Sequence, residues 1–333
     1  MSALPDATEP LTQGQADAAF SAIMDGEVEE AALAAFLVQL ADRGETAAEI
    51  AAAAGALRAR MRKVRAPSGA VDVCGTGGDG SHSLNVSTAV AFVVAAAGVT
   101  VAKHGNRAAS SRCGTADVLE ALGADLDLPF DRVEAALAEV GVAFLFAQRH
   151  HPAMARVAAV RRALGRRTIF NLLGPLCNPA GVRRQMIGVF AAEWMGRMAE
   201  AGHGLGAEAL LLVHGGGLDE LAADAESQLL WMAGGAMREE RVTPEALGIA
   251  RHPRAAIAGG DAAFNATALK TLLAGDRGSE RLRAYRAIVL ANAAAALRLA
   301  GAAGGWAHAL ALAEAAIDSG AAEERLARFI AFR

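Results

Sequence analysis

The chain reads as an α/β protein: a small all-helical N-terminal domain, then a larger α/β domain with a mostly parallel central sheet. Three observations predict this. Residues 11 to 64 carry helical patterning and no strand; from residue 70 short apolar runs alternate with helical stretches; and one strand-helix-strand unit holds a glycine-rich loop. Alternation of that kind is the signature of parallel β-α-β units. With 333 residues and 53% apolar content, the chain can bury a large core, and its length suggests about two domains. The helical domain is placed at 1–68, completed by helices within 151–178, and the α/β domain at 69–333.

In the first domain Thr12 precedes one helix, and GETAAEI starts another at Thr46 with Thr-x-x-Glu capping-box spacing. RAPSGA, Arg65 to Ala70, is a plausible linker. The strands VDVC, VTVAK, AFLFA, MIGVF and ALLLVH follow, the second starting at Val99 and ending at about Ala102. His151 to Pro175 reads as helix again and is expected to pack back on the first domain. The last fifty residues read as alanine-rich helix.

A net charge of −4 and 5% aromatic residues give no electrostatic reason for a nucleic-acid partner and little material for base stacking. Cys74, Cys113 and Cys177 lie far apart, spelling out neither a paired framework nor a CxxC metal site. The start MSALPDATEP lacks the basic and apolar stretches of a signal peptide, and Gly98 and Thr100 punctuate the apolar run near residues 89–102. A soluble cytoplasmic protein without membrane contact is expected.

Gly75 to Gly80 bridges the end of the strand VDVC to the start of a buried helix over Val86 to Ala97. Glycines there permit positive φ and close approach of a ligand, and the N–H groups of a helix start favour anions. Asn85, Ser87 and Thr88 fall at capping positions, where they can cap the helix, hold phosphate oxygens, or both. The next strand delivers Lys103, His104 and Asn106 to the same sheet edge, because parallel crossovers are right-handed. Gly75, Gly77 and Gly80 formally match G-x-G-x-x-G, but no ribose-binding acid follows at the usual spacing and Asp79 sits in the loop, so a nicotinamide cofactor does not fit. Asp79 either braces the loop through backbone N–H groups or meets a metal carried by a phosphate.

Asp219 and Glu220 follow a second glycine-rich turn in HGGGLDEL. Adjacent carboxylates suit a solvated helix start, or magnesium, which prefers a few carboxylates plus phosphate and water; the phosphate-type loop favours the metal. Met154, Val157, Arg161 and Leu164 share one helical stripe, so Arg161 interrupts an apolar face and seeks either a structural acid or the carboxylate of a ligand. His150 and His151 are weaker candidates, and Arg156, Arg162, Arg166 and Arg167 read as solvated.

Taken in order, GTGGDG with NVST, KHGNRAASSRCGTAD, NLLGPLCNP, HGGGLDEL and GGDAAFNATALK resemble the motifs of the anthranilate phosphoribosyltransferases. The likeness covers almost the whole chain, including AAFLVQLADRGETAAEI. It implies the nucleoside-phosphorylase-like phosphoribosyltransferase fold, a cleft at the hinge of two domains, and a homodimer. It also implies the reaction of tryptophan biosynthesis in which the amine of anthranilate displaces pyrophosphate from phosphoribosyl pyrophosphate, with two Mg2+ ions.

By motif, the resemblance places Gly75, Gly78, Asp79, Ser83, Asn85, Val86, Ser87, Thr88, Lys103, His104, Gly105, Asn106, Arg107, Ala108, Ala109, Ser110, Ser111 and Thr115 around the phosphoribosyl donor. Gly75, His104, Asn106 and Arg161 would meet anthranilate; Ser87, Asp219 and Glu220 would serve the metal; Lys103, Arg161, Asp219 and Glu220 would carry the catalysis. Displacement at an anomeric carbon passes through an oxocarbenium-like state, so alignment and leaving-group stabilisation suffice without a covalent nucleophile. Thr115 stands where the family usually has serine, Gln148 replaces a common proline, and SQLLWM lacks the usual T-x-V-x-E character. A pyrimidine nucleoside phosphorylase and a non-catalytic nucleic-acid-binding relative are the alternatives.

Overall fold

The computed structural model describes residues 2–108 and 112–333. It opens with three helices, α1 (Gln13–Asp25), α2 (Glu30–Arg43) and α3 (Ala47–Arg60). Both expected starts are built: Thr12 and Thr46 form reciprocal capping boxes with Gln15 and Glu49. Glu49 is fully buried yet satisfied, accepting from Leu11 N at 3.0 Å and from Arg43 at 2.7 Å, as burial of a carboxylate requires.

After the linker come β1 (Val71–Gly75), α4 (Val86–Ala96), β2 (Val101–Gly105), α5 (Thr115–Ala121), α6 (Phe130–Glu139) and β3 (Val142–Phe146). The chain then returns toward the first helices through α7 (Ala147–His150), a single 3-10 turn at Pro152–Met154, α8 (Ala155–Leu164) and α9 (Phe170–Leu176). It closes with β4 (Arg184–Gly188), α10 (Trp194–Gly204), β5 (Ala209–Gly215), β6 (Ser227–Ala233), β7 (Ala236–Val242), α11 (Ala262–Leu273), α12 (Glu280–Leu299), α13 (Trp306–Asp318) and α14 (Ala321–Ala331).

The seven strands run in the order β3-β2-β1-β4-β5-β6-β7, parallel through β5 and antiparallel for the last two. Alternate side chains of β4 and β5 face opposite layers. Met186, Leu211 and Val213 enter the core built with α4 and α12 to α14, whereas Ile187, Leu210 and Leu212 enter a second core. That second core holds Phe20, Phe36 and Ile50 of the first three helices, Val157 and Phe170 of α8 and α9, and Met198 of α10. The segment from residue 151 thus packs on the N-terminal helices.

Two expectations need correction. The second strand begins at Val101 and runs through Lys103 and His104, because Gly98 at φ 94° ends α4 and the Val99 N–H still closes on Val94 O. The hairpin of β6 and β7 was not expected; its outer strand AMREERV is charged and mostly exposed, as edge strands that avoid aggregation are, and this masks strand periodicity.

Candidate active site

Strand order reverses beside β1, whose neighbours are β2 and β4, and such a switch point opens a crevice at the carboxyl ends of the strands. Gly75 and Gly188 end those two strands as a register pair. Asp219 lies directly over both. A Cβ on Gly75 would fall 2.2 Å from Asp219 Oδ2, and one on Gly188 would fall 1.5 Å from the Asp219 carbonyl oxygen. Both glycines are therefore needed to seat this acid over the crevice, and Gly77 N donates to its Oδ2 at 2.7 Å.

No helix follows Asp219 and Glu220, so the helix-start reading of the pair fails. Asn292, fully buried on α12, fixes the segment instead. Its Oδ1 accepts from Leu221 N at 2.9 Å and its Nδ2 donates to Leu221 O at 3.0 Å.

In the glycine loop, Gly77, Gly78 and Gly80 adopt φ of 66°, 77° and 75°. Asp79 braces it: Oδ1 accepts from Ser81 N at 2.9 Å and Ser81 Oγ at 3.0 Å, and Oδ2 lies 3.4 Å from Asp219 N. The backbone N–H groups of Gly78, Asp79 and Gly80 have no protein acceptor among the described residues. Unmatched N–H groups in successive residues of such a turn can form an anion cradle.

Lys103 lies inside β2 and is 3% exposed, not beyond the strand end. Its Nζ donates to Val73 O at 2.8 Å and to Ser87 Oγ at 3.1 Å. Its charge also acts on Glu220 and on the fully buried Asp72. Asp72 accepts from His104 N at 3.1 Å and Asn178 Nδ2 at 2.8 Å. Next along the strand, the His104 ring nitrogen Nδ1 meets Gly174 O at 3.0 Å while Nε2 faces His151 Nε2 at 3.1 Å. The consistent tautomers let His104 donate to Gly174 O and accept from His151. Burial and the facing His151 ring push His104 down to about 3, and burial with the neighbouring His150 pushes His151 down to about 4, so both rings are neutral in the folded state. His151 Nδ1 remains buried without a partner among the described residues.

At the start of α4, Asn85 occupies the cap position but makes no capping bond. Its amide instead donates to Cys113 O at 3.3 Å and accepts from Asn265 Nδ2 at 2.9 Å, while its carbonyl takes the Tyr285 hydroxyl at 2.9 Å. Thr88 and Thr115 meet at 3.1 Å through their hydroxyls, so the threonine keeps the hydroxyl function that serine would supply. Ser83 bridges Ala258, and Val86 turns into the core with its N–H on Leu84 O.

Gly105 packs against Phe144 and Thr115, and Asn106 is exposed next to it. Arg107 turns to Asp117 and Glu120, and Ala108 N donates to Asp117 Oδ2 at 3.0 Å, so both brace the loop onto α5. Ala109, Ser110 and Ser111 lie outside the described residues. Gln148 sits in α7, and Ser227 Oγ accepts from Ala222 N at 2.9 Å beside the acidic segment.

Arg161 has no carboxylate partner among the described residues; its guanidinium lies 5.6 Å from the centre of the Phe170 ring. Burial lowers its pKa. Three arginines read as solvated have partners: Arg156 on Met24 O, Arg166 on Asp42 and Arg167 on Gly78 O.

Burial, then the charge of Asp79, pushes Asp219 up to about 7, and burial with the charge of Asp219 raises Glu220 well above its ordinary value. Such crowding is what a bound cation relieves. Among the described residues no group of three or more His, Cys, Asp or Glu is arranged to hold a metal. The donors at hand are the hard oxygens of Asp219, Glu220 and Ser87. That set fits magnesium completed by phosphate and water, not a full protein cage.

Two family profiles match the chain: a glycosyl transferase family helical bundle domain over residues 6–61 and a glycosyl transferase family a/b domain over residues 67–323. An anthranilate phosphoribosyltransferase of Novosphingobium aromaticivorans is 53% identical over 99% of both chains. The crystal structure of anthranilate phosphoribosyltransferase from Thermus thermophilus superposes with a TM-score of 0.93 at 44% identity, covering 100% of this chain and 99% of that one. The Saccharomyces cerevisiae enzyme in complex with PRPP and Mg gives a TM-score of 0.87 at 27% identity, over 96% of this chain and 93% of that one.

Proposed function

The chain belongs to the glycosyl transferase family of anthranilate phosphoribosyltransferases, and from that premise we propose how its crevice divides the labour of the reaction. The reaction is transfer of the phosphoribosyl group of phosphoribosyl pyrophosphate to the amine of anthranilate, with release of pyrophosphate, and Mg2+ is its cofactor. One observation carries the site assignment. Asp219 is seated over the paired glycines at the switch point, beside a loop with unmatched N–H groups.

The N–H groups of Gly78, Asp79 and Gly80 take phosphate oxygens of the donor, with Ser83, Ser87 and Thr88 lining the entry to α4. Asp219, Glu220 and Ser87 hold magnesium, which when bound neutralises charge growing on the departing pyrophosphate. Lys103 orients Ser87 and offsets the charge of Glu220 and Asp72. Gly75, neutral His104 and Asn106 form the acceptor side of the crevice. With Nδ1 donating to Gly174 O and Nε2 accepting from His151, His104 lines the acceptor side instead of taking the proton of the amine. Arg161 receives the carboxylate of anthranilate, and its lack of an acid partner among the described residues supports that role. Cleft closure then aligns amine and anomeric carbon.

The same reading extends to two magnesium ions, a cytoplasmic homodimer, and lobes at 1–68 and 69–333 with 151–178 completing the first. The core shared by α1 to α3 with α8 and α9 supports that completion. Among the described residues no helix is long and apolar enough to cross a membrane. The acidic pair favours the transferase over the phosphorylase. Anthranilate fluorescence should fall when protein, phosphoribosyl pyrophosphate and magnesium are mixed and hold steady when magnesium is chelated; no fall in the complete mixture removes the assignment.

A further inference from the structure

Two adjacent arginines in the turn between α8 and α9 reach to opposite lobes. Arg166 Nη2 donates to Asp42 Oδ1 on α2 at 2.6 Å. Arg167 Nη2 donates to Gly78 O in the glycine loop, and its guanidinium lies 4.1 Å from the centre of the Phe190 ring. Phe190 N in turn donates to Thr76 Oγ1 at 3.1 Å, so Arg167 is wedged where the loop is fastened to the end of β4.

The orientation of one peptide follows from this contact. In a trans peptide the C=O and the following N–H point to opposite sides of the chain. Holding the Gly78 carbonyl against Arg167 therefore turns the Asp79 N–H to the other face of the loop, where it has no protein acceptor among the described residues. Three glycines at positive φ make the loop permissive, so the peptide has other orientations open to it unless something selects one. Gly77 is already held by Asp219, and Gly78 is held only by Arg167 among the described residues.

We propose that Arg167 is a positioning residue: it sets the Gly78–Asp79 peptide in the orientation that presents N–H groups to the donor diphosphate, and it ties that loop to the helix bearing Arg161. The inference rests on the reading of the loop as the diphosphate cradle. Acceptor capture on α8 and donor capture in the loop then share one mechanical link, and the Arg166 pair to Asp42 anchors its other end.

The test compares the full-length protein with Arg167→Ala, Arg167→Lys and, as control, Arg162→Ala, an exposed arginine near the end of α8 with no partner among the described residues. Donor KM, kcat and melting temperature are measured with magnesium in excess. Binding is followed by the fluorescence of Trp194, whose ring lies 6.4 Å from that of Phe190. Arg167→Ala is expected to raise donor KM about tenfold, the scale of one charge-assisted hydrogen bond, with kcat at saturation nearly kept. Its melting temperature should match the parent, because Arg167 is exposed. Lysine should restore part of the loss, and Arg162→Ala should change nothing.

An unchanged donor KM in Arg167→Ala overturns the proposal, as does an equal rise in Arg162→Ala. A loss that follows melting temperature and appears mainly in kcat overturns it too. If the parent protein itself neither binds nor consumes the donor, the functional reading falls and the inference falls with it.

Discussion

Asp219 is held up to about 7 by burial and by the charge of Asp79, and the sign of its pH dependence follows. An unfolded Asp ionises near 4, so the folded protein binds the extra proton in between, and stability from this group declines as pH rises from about 4 through about 7. Without magnesium, Asp219→Asn should raise the melting temperature at about pH 8 and leave it unchanged at about pH 4, while magnesium-dependent turnover drops by at least about 100-fold. Calorimetry in chelator at the two pH values checks the first part. Arg161 gives an opposite kind of prediction. Since it lacks a protein acid among the described residues, Arg161→Ala should cost little stability yet raise anthranilate KM by about 10- to 100-fold through loss of a charge-assisted pair. An unchanged anthranilate KM removes it from the acceptor site. Asp219, Glu220 and Arg161 were legible because each breaks a local pattern, an acid pair after glycines or a cation on an apolar stripe. Asn292 and Asn178 were not, since a buried amide acquires its meaning from partners far away in sequence, as Asn292 does from Leu221.

The strand ends and their loops decide whether those residues meet. Gly75→Ala places a methyl at 2.2 Å from Asp219 Oδ2, so it should displace the acid and abolish magnesium-dependent turnover while circular dichroism stays native. Thr115→Ser keeps the hydroxyl facing Thr88 at 3.1 Å and should retain activity, whereas Thr115→Val should lose it by leaving Thr88 unpaired. Parallel strands with continuous apolar runs and helices with capping boxes were readable, because period and caps are local signals. The start of β2 was misplaced since a Schellman-like closure on Val94 keeps Val99 with the helix. The hairpin of β6 and β7 was missed because its charged edge strand hides alternation.

Across the whole molecule, one core joins the first three helices to α8, α9, α10 and one face of the sheet. Removal of residues 1–61 should therefore expose Ile187, Leu212 and Phe170 and give a protein that aggregates or binds hydrophobic dyes. The return of the chain at residue 151 was legible from its helical pattern; which face of the sheet it covers was not, since that depends on strand order. Both faces of the sheet are covered, and β1 and β4 end side by side under Asp219 at the switch point. Calorimetric titration of phosphoribosyl pyrophosphate into the protein with and without magnesium, repeated on a variant carrying Asp219→Asn with Glu220→Gln, tests that placement most directly. Binding that requires magnesium and disappears in the double variant is the predicted result; equally tight binding without the cation, or in the double variant, would contradict it.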